Sequence, residues 1–84
     1  MPCRYVLDGA VAEAILSLSS RQRESFIRIF RSLAENPFQT GDEAFPDSVG
    51  RQVQKKAFGG WWISYWSDHA SQEVRIVGVQ KKRP

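Results

Sequence analysis

The chain has 84 residues, a formal net charge of +3, 42% hydrophobic residues and a single cysteine. A chain of this length can build one hydrophobic core, so we expect one domain over residues 1–84, without disorder or an internal disulfide. No apolar run approaches the roughly 20 residues that span a bilayer, and the N-terminus lacks the pattern of a secretion signal. These features exclude a membrane protein and favour a cytoplasmic location.

The first part of the chain predicts a short strand followed by two helices. Residues 3–7 form the strand candidate, and Asp8 can cap a first helix in which apolar residues recur at helical spacing. A serine pair precedes a second helix from about Arg21 to Glu35; if Ser19 is its cap, Gln22 completes a capping box. The short connection between the helices predicts an antiparallel pair with one shared apolar face. That face needs a sheet to cover it.

The second part of the chain predicts three strands. Residues 38–48 are rich in turn-forming residues and are expected to form a loop. β-branched and aromatic residues flank Gly59-Gly60, which favours a tight hairpin within residues 50–66. A turn at 67–72 then leads to a strand from Glu73 to Gln80. The predicted fold is α+β, with a helical hairpin on one face of a small antiparallel sheet and the other face open.

Period-two alternation predicts which side chains share a face of this sheet. We expect Trp61, Ile63 and Tyr65 to face the helices, and the helices to cover Val53, Ile63, Val77 and Val79. The open face is then expected to carry Gln52, Gln54, Lys56, Trp62, Ser64, Trp66, Gln80 and Lys82. Arg75 and Ile76 fit this alternation badly, and a register change of one residue inverts the assignment.

Positive charge is concentrated in the C-terminal third of the chain. The cations after residue 50 are Arg51, Lys55, Lys56, Arg75, Lys81, Lys82 and Arg83, against two acidic residues. This distribution suits a polyanion or an acidic protein segment as partner. The alternative is that these side chains only solvate a small sheet and protect its edges.

Three segments, in this order and spacing, resemble the RelE/ParE superfamily of bacterial type II toxins. They are LAENPFQTGD at 33–42, FGGWWISYW at 58–66 and VRIVGVQKKRP at 74–84. The resemblance covers nearly the whole chain and implies a small twisted antiparallel sheet backed by two helices. It also implies a toxin that is neutralised by the C-terminal segment of an antitoxin encoded by an adjacent gene.

RelE-type members enter the ribosomal A site and cleave mRNA, so the resemblance implies the ribosome and mRNA as partners. In this chemistry a 2′-hydroxyl attacks the neighbouring phosphate, which calls for cations and proton-transfer groups and requires no metal or other cofactor. The catalytic residues implied by the resemblance are Lys55, Lys56, Lys82 and Arg83. The residues expected to bind RNA or a partner are Arg51, Trp62, Tyr65, Trp66, Arg75 and Lys81, with the tryptophans stacking bases and Tyr65 also suited to packing.

The chain departs from RelE-type members at two places. Trp62 stands where an arginine is usual in the middle strand, and no terminal tyrosine or further helix follows Pro84. ParE-type members inhibit DNA gyrase without nuclease residues, so this activity remains an alternative. A third interpretation is a non-toxic binding module whose aromatic open face is a protein interface.

Other candidate groups give weaker signals. His69, the only histidine, can transfer protons near neutral pH but is expected in an exposed turn. Asp42, Glu43 and Asp47 lie in the predicted loop and lack the further ligands of a metal site. The glycine pair lacks the following helix of a phosphate-binding loop.

Overall fold

The computed structural model describes residues 3–83; Pro84, which ends the third motif, lies outside them. The elements in chain order are β1 (Arg4–Leu7), α1 (Gly9–Leu16), α2 (Ser20–Glu35), β2 (Glu43–Pro46), β3 (Gln52–Phe58), β4 (Trp61–Asp68) and β5 (Glu73–Lys81). The five strands form one sheet in the order β1-β5-β4-β3-β2. Both helices pack on the same face of this sheet, which confirms the predicted α+β class.

The helices begin close to where the capping signals place them. Ser19 caps α2, because its hydroxyl oxygen accepts a hydrogen bond from the backbone amide of Gln22 at 3.3 Å. Asp8 occupies the capping position of α1, but its side chain makes no capping hydrogen bond. Within the described part of the chain, no helix has the length and apolar character needed to cross a membrane.

The sheet is mixed rather than wholly antiparallel as predicted. β1 lies at one edge and pairs with β5 in parallel, from Arg4 opposite Glu73 to Leu7 opposite Ile76. A parallel pair needs a long crossover connection, and here the two helices and three other strands provide it. Alternation within a strand carries no information about partners this far away in the chain.

The other edge strand, β2, was predicted to be part of a loop, and that prediction is wrong. β2 pairs antiparallel with β3, from Glu43 opposite Lys55 to Pro46 opposite Gln52, and all four of its residues are exposed. A four-residue strand that contains a proline gives no alternation signal. Proline is compatible with the position because an edge strand leaves some backbone amides without a ladder partner.

The core lies between the helices and the sheet. Its buried members are Val11, Ile15, Phe26, Phe30, Leu33, Ile63, Tyr65, Val74 and Ile76. Trp61 meets Phe26 edge to face, with ring centroids 5.1 Å apart and planes at 82°. The prediction that Trp61, Ile63 and Tyr65 face the helices is therefore confirmed.

The predicted face assignment of β3 is wrong by one residue. Gln54 lies opposite Tyr65 and Lys56 opposite Ile63, so both face the helices, whereas Lys55 lies opposite Ser64 on the open face. β3 contains few apolar residues, so the helix face there accepts polar side chains at its margin. The Lys56 ammonium group reaches Gln39 Oε1 at 2.7 Å, while its aliphatic stem covers the sheet.

Val53 accordingly faces away from the helices, although it was predicted beneath them. It is only 2% exposed, yet it lies outside the helix-side core cluster. Its cross-strand neighbour is Phe45 of β2, and it shares an open-face depression with Phe45 and Trp66. Burial of Val53 therefore comes from a short edge strand that the sequence did not reveal.

β5 contains an irregularity that explains its poor alternation. Ser64 pairs with Gly78, but the next residue, Tyr65, pairs with Ile76, so Val77 is an extra residue in β5. The shift places Ile76 in the core, while Val77 lines the open-face depression, contrary to its predicted position. Val79 pairs with Ile63 and packs against the core as predicted.

Candidate functional site

The open face of the sheet, which we define as the surface turned away from α1 and α2, carries aromatic rings with cations against them. The register places Trp62 opposite Ala57 of β3 and Gln80 of β5. Further along the same face of β4, Trp66 lies opposite Arg75. Trp62 and Trp66 are on this face because residues four apart in a strand point the same way.

Two lysines flank the indole of Trp62. The ammonium groups of Lys55 and Lys82 each lie 4.9 Å from its ring centroid, within the range of cation–π attraction. The backbone amide of Lys82 donates to the Gly60 carbonyl at 2.8 Å, which fixes the segment after β5 beside the β3–β4 hairpin. With Arg83, these residues line a depression of about 390 Å³. We call Lys55, Trp62, Lys82 and Arg83 the lysine–tryptophan cluster.

Lys55 also approaches an acidic side chain. Its ammonium group lies 4.0 Å from a carboxylate oxygen of Glu43, which is 62% exposed. An ion pair this long and open to water contributes little and is easily exchanged. Lys55 can therefore turn from Glu43 to a phosphate at small cost.

A second cation–aromatic pair lies near the other end of β4. The guanidinium of Arg51 stacks over Trp66, with 4.3 Å between Cζ and the ring centroid. Asp47 holds Arg51 in this position, because its Oδ2 accepts from Arg51 Nε at 2.6 Å and its Oδ1 accepts from the amides of Val49 and Arg51. Desolvation opposes ionisation of Asp47, but these hydrogen bonds outweigh it and set the pKa of Asp47 below its ordinary value.

Arg75 differs from the other cations of the open face because its charge is compensated. Its Nη2 lies 3.1 Å from Oε1 of Glu73, a carboxylate that also bonds Arg4 at 2.8 Å. Glu73 is buried, so losing an arginine partner would leave its charge uncompensated. The Arg75 side chain therefore stabilises the β1–β5 edge and is not counted among the cations available to a ligand.

Two residues predicted for the site lie on the helix side of the sheet. Tyr65 is 1% exposed and its hydroxyl donates to the Gln39 carbonyl at 3.2 Å; burial, and then the Asp42 carboxylate, raise its pKa. Lys56 bonds the side chain of Gln39, as described above. Neither position is compatible with contact to a ligand on the open face. The predicted catalytic role of Lys56 and binding role of Tyr65 are corrected accordingly.

Lys81 also follows the helix side, since it pairs with Trp61. It lies at the end of β5 and borders the depression of the lysine–tryptophan cluster. The structure thus gathers four predicted residues, Lys55, Trp62, Lys82 and Arg83, in one cluster. It places Arg51 and Trp66 in a separate pair.

One feature was missed by the sequence reasoning, a cleft at the end of the sheet where β4 finishes. Phe38, predicted only as a loop residue, stacks on His69 with ring centroids 5.1 Å apart and planes at 14°. We call this cleft of about 370 Å³ the rim cleft; it is lined by Pro37, Phe38, Gln39, Thr40, Arg51, Gln52, Gln54, Trp66, Ser67 and His69. An aromatic residue directly after a helix-ending Asn-Pro was the available signal. Among residues 3–83, no group of three or more potential metal ligands is found.

The architecture as a whole is that of the RelE toxins, a class of small α+β proteins. The toxin–antitoxin complex RelBE2 from Mycobacterium tuberculosis contains a chain with a TM-score of 0.78 and 14% identity, over 98% of this chain and 100% of that one. The RelE–RelB complex from Pyrococcus horikoshii contains a chain with a TM-score of 0.75 and 14% identity, over 98% of this chain and 97% of that one.

The isolated Escherichia coli RelE toxin gives a TM-score of 0.75 at 17% identity, over 98% of this chain and 86% of that one. Neither a protein-family model nor a curated protein sequence matches the chain. At this level of identity the likeness shows the fold. The resemblance found in the three sequence segments is therefore confirmed as a RelE-like fold.

Proposed function

We propose that this protein is the toxin of a type II toxin–antitoxin module and that it inhibits translation by cleaving mRNA at the ribosome. The observation that carries the proposal is the lysine–tryptophan cluster on the uncovered face of a RelE-like fold. Two ammonium groups, one from β3 and one from the segment after β5, lie 4.9 Å from one indole, with Arg83 beside them. Aromatic rings with adjacent cations are the usual means of holding single-stranded nucleic acid.

Binding of RNA would rearrange this cluster rather than simply add to it. A base that stacks on Trp62 must take the place of a lysine against the ring, since both ammonium groups approach the indole. The displaced ammonium group then lies within a side-chain length of the phosphate attached to that base. Stacking and phosphate neutralisation are therefore coupled in one event.

The chemistry that these residues support is attack by the RNA's own 2′-hydroxyl. The 2′-oxygen forms a bond to the adjacent phosphorus while the bond to the 5′-oxygen breaks, leaving a 2′,3′-cyclic phosphate and a 5′-hydroxyl. Lys55, Lys82 and Arg83 stabilise the charge that builds up on the phosphoryl oxygens. An ammonium group protonates the departing 5′-oxygen, and water takes the proton of the 2′-hydroxyl.

The partner that controls this activity is expected to be an antitoxin encoded by an adjacent gene. The proteins with this fold described above include RelE–RelB complexes from a bacterium and an archaeon. The open face carries uncompensated cations, so an acidic segment of the antitoxin could cover it by charge complementarity.

A reconstituted translation system containing a defined mRNA tests the proposal. We expect cuts that require translation, and products that end in a cyclic phosphate and a 5′-hydroxyl. Lys55→Gln combined with Lys82→Gln should slow cleavage by about 100-fold or more, the usual cost of losing charge stabilisation and proton transfer. Lys56→Gln is the matched control, since this lysine is adjacent in sequence but lies on the helix side.

Two results would overturn the proposed activity. Intact mRNA together with inhibited DNA supercoiling by gyrase would assign the protein to the ParE-type activity instead. Intact mRNA, normal supercoiling and normal growth on induction without the adjacent gene would indicate a non-toxic binding module.

A further inference from the structure

The rim cleft holds a second set of stacked rings, separate from the lysine–tryptophan cluster. One wall is the parallel stack of Phe38 on His69. Phe38 is 74% exposed, so most of its ring is open to an incoming group. The exposed ring of Phe38 thus provides a flat apolar surface and contributes little to the core.

The stack of Arg51 over Trp66 also borders the cleft, from the open face of the sheet. A guanidinium plane is itself a surface on which bases stack, and Asp47 fixes this one through the 2.6 Å bond to Nε. Two pairs of stacked planar groups therefore border the cleft. At least one of them is held in place before any ligand arrives.

Two further side chains of the lining, on the helix side of β3, carry amide groups. Gln52 is exposed at the start of β3, whereas Gln54 is fixed because its Oε1 accepts from the Gly41 amide at 2.9 Å. That bond leaves the Nε2 group of Gln54 as the remaining donor of the amide. Amide donors and acceptors beside aromatic planes match the edge and the face of a nucleobase.

We propose that the rim cleft binds one nucleobase of single-stranded RNA, which stacks on the exposed ring of Phe38 and lies beside the Arg51–Trp66 stack. This inference rests on the proposed function, because the base belongs to the RNA held at the lysine–tryptophan cluster. Trp62 and Trp66 are four residues apart on one face of β4, about 13 Å, so an RNA strand can follow β4 from one to the other and then turn over the end of the sheet into the cleft. The cleft then selects a base a few nucleotides from the cleaved bond.

Equilibrium binding of short RNA provides the first test. The probes are a dinucleotide and a hexanucleotide with 2′-O-methyl groups, which block cleavage. Phe38→Ala should weaken hexanucleotide binding by about 5- to 150-fold, the value of one stacked base, and leave dinucleotide binding unchanged. Phe38→Tyr keeps the ring and should bind normally. Leu16→Ala removes another side chain, 70% exposed, at the end of α1 and is the matched control.

Photo-cross-linking distinguishes this inference from the proposed function. Hexanucleotides with a single 4-thiouridine at each position should cross-link at one position to the peptide containing Phe38 or His69, and at another to the peptide containing Trp62. Cross-links at Trp62 alone, with unchanged binding by Phe38→Ala, would overturn the rim-cleft site and leave the proposed function standing. If RNA bound neither at the rim cleft nor at the lysine–tryptophan cluster, both the rim-cleft site and the proposed function would be overturned.

Discussion

Replacing Lys55 and Lys82 with glutamine should reduce the salt dependence of RNA binding by an amount that the structure specifies. Three cations are available to phosphates on the open face, namely Lys55, Lys82 and Arg83, since Arg51 is compensated by Asp47 and Arg75 by Glu73. Each phosphate contact on a single strand contributes about −0.7 to the slope of log K against log salt. The original protein is thus expected to have a slope of about −2.1 and the double variant about −0.7.

The consequence is measurable with a fluorescent single-stranded RNA and a salt titration. Between 50 and 200 mM salt, affinity should fall about 20-fold for the original protein and about 3-fold for the double variant. Lys56→Gln carries the same change of charge on the other side of the sheet and should keep the original slope. An equal loss of slope in Lys56→Gln and Lys55→Gln would refute the assignment of faces on which the site rests.

Two further predictions concern the loop that follows α2. Tyr65→Phe loses the hydrogen bond to Gln39 and should cost about 1 kcal/mol in urea unfolding at neutral pH. Because burial raises the pKa of Tyr65 above 10.0, its phenol favours the folded state below that pH, and this contribution is lost as the pH rises through the folded pKa. The late step of a tyrosinate absorbance titration should therefore be missing in Tyr65→Phe, and a late step of unchanged amplitude would contradict its assignment to Tyr65. Gly41→Ala would place a Cβ 2.6 Å from the Lys55 carbonyl oxygen and should lower the free energy of unfolding by about 1–3 kcal/mol. Gly9→Ala, with no atom within 4 Å of the new Cβ, should be nearly neutral. Equal stability of the two variants would contradict the packing of this loop on β3.

The sequence predicted those elements whose signals are local. The Ser19 cap and the apolar stripe of α2 fixed the second helix, and the glycine pair fixed the β3–β4 hairpin. β4 was oriented correctly: Ile63 and Tyr65 face the helices, whereas Trp62, Ser64 and Trp66 lie on the open face. Each of these signals lies within a short stretch of consecutive residues.

The errors arose where a position depends on a distant neighbour. Val53 is buried by Phe45, which belongs to an edge strand too short to recognise in the sequence. Its hydrophobicity was therefore taken to indicate the helix side, and because neighbouring residues of a strand face opposite ways, Lys56 was assigned to the open face. The extra residue at Val77 shifts the alternation of β5 within one strand. The rim cleft joins three segments of chain, and no spacing in the sequence brings Phe38 to His69.

The pairing of β1 with β5 also bears on how the chain folds. The first strand has its partner some 69 positions away, as the bond between Arg4 and Glu73 shows. During synthesis the sheet therefore cannot close until the segment around Glu73 has left the ribosome. Contacts of such long range slow folding and leave apolar surfaces uncovered meanwhile, which gives a binding partner or a protease time to act on the nascent protein.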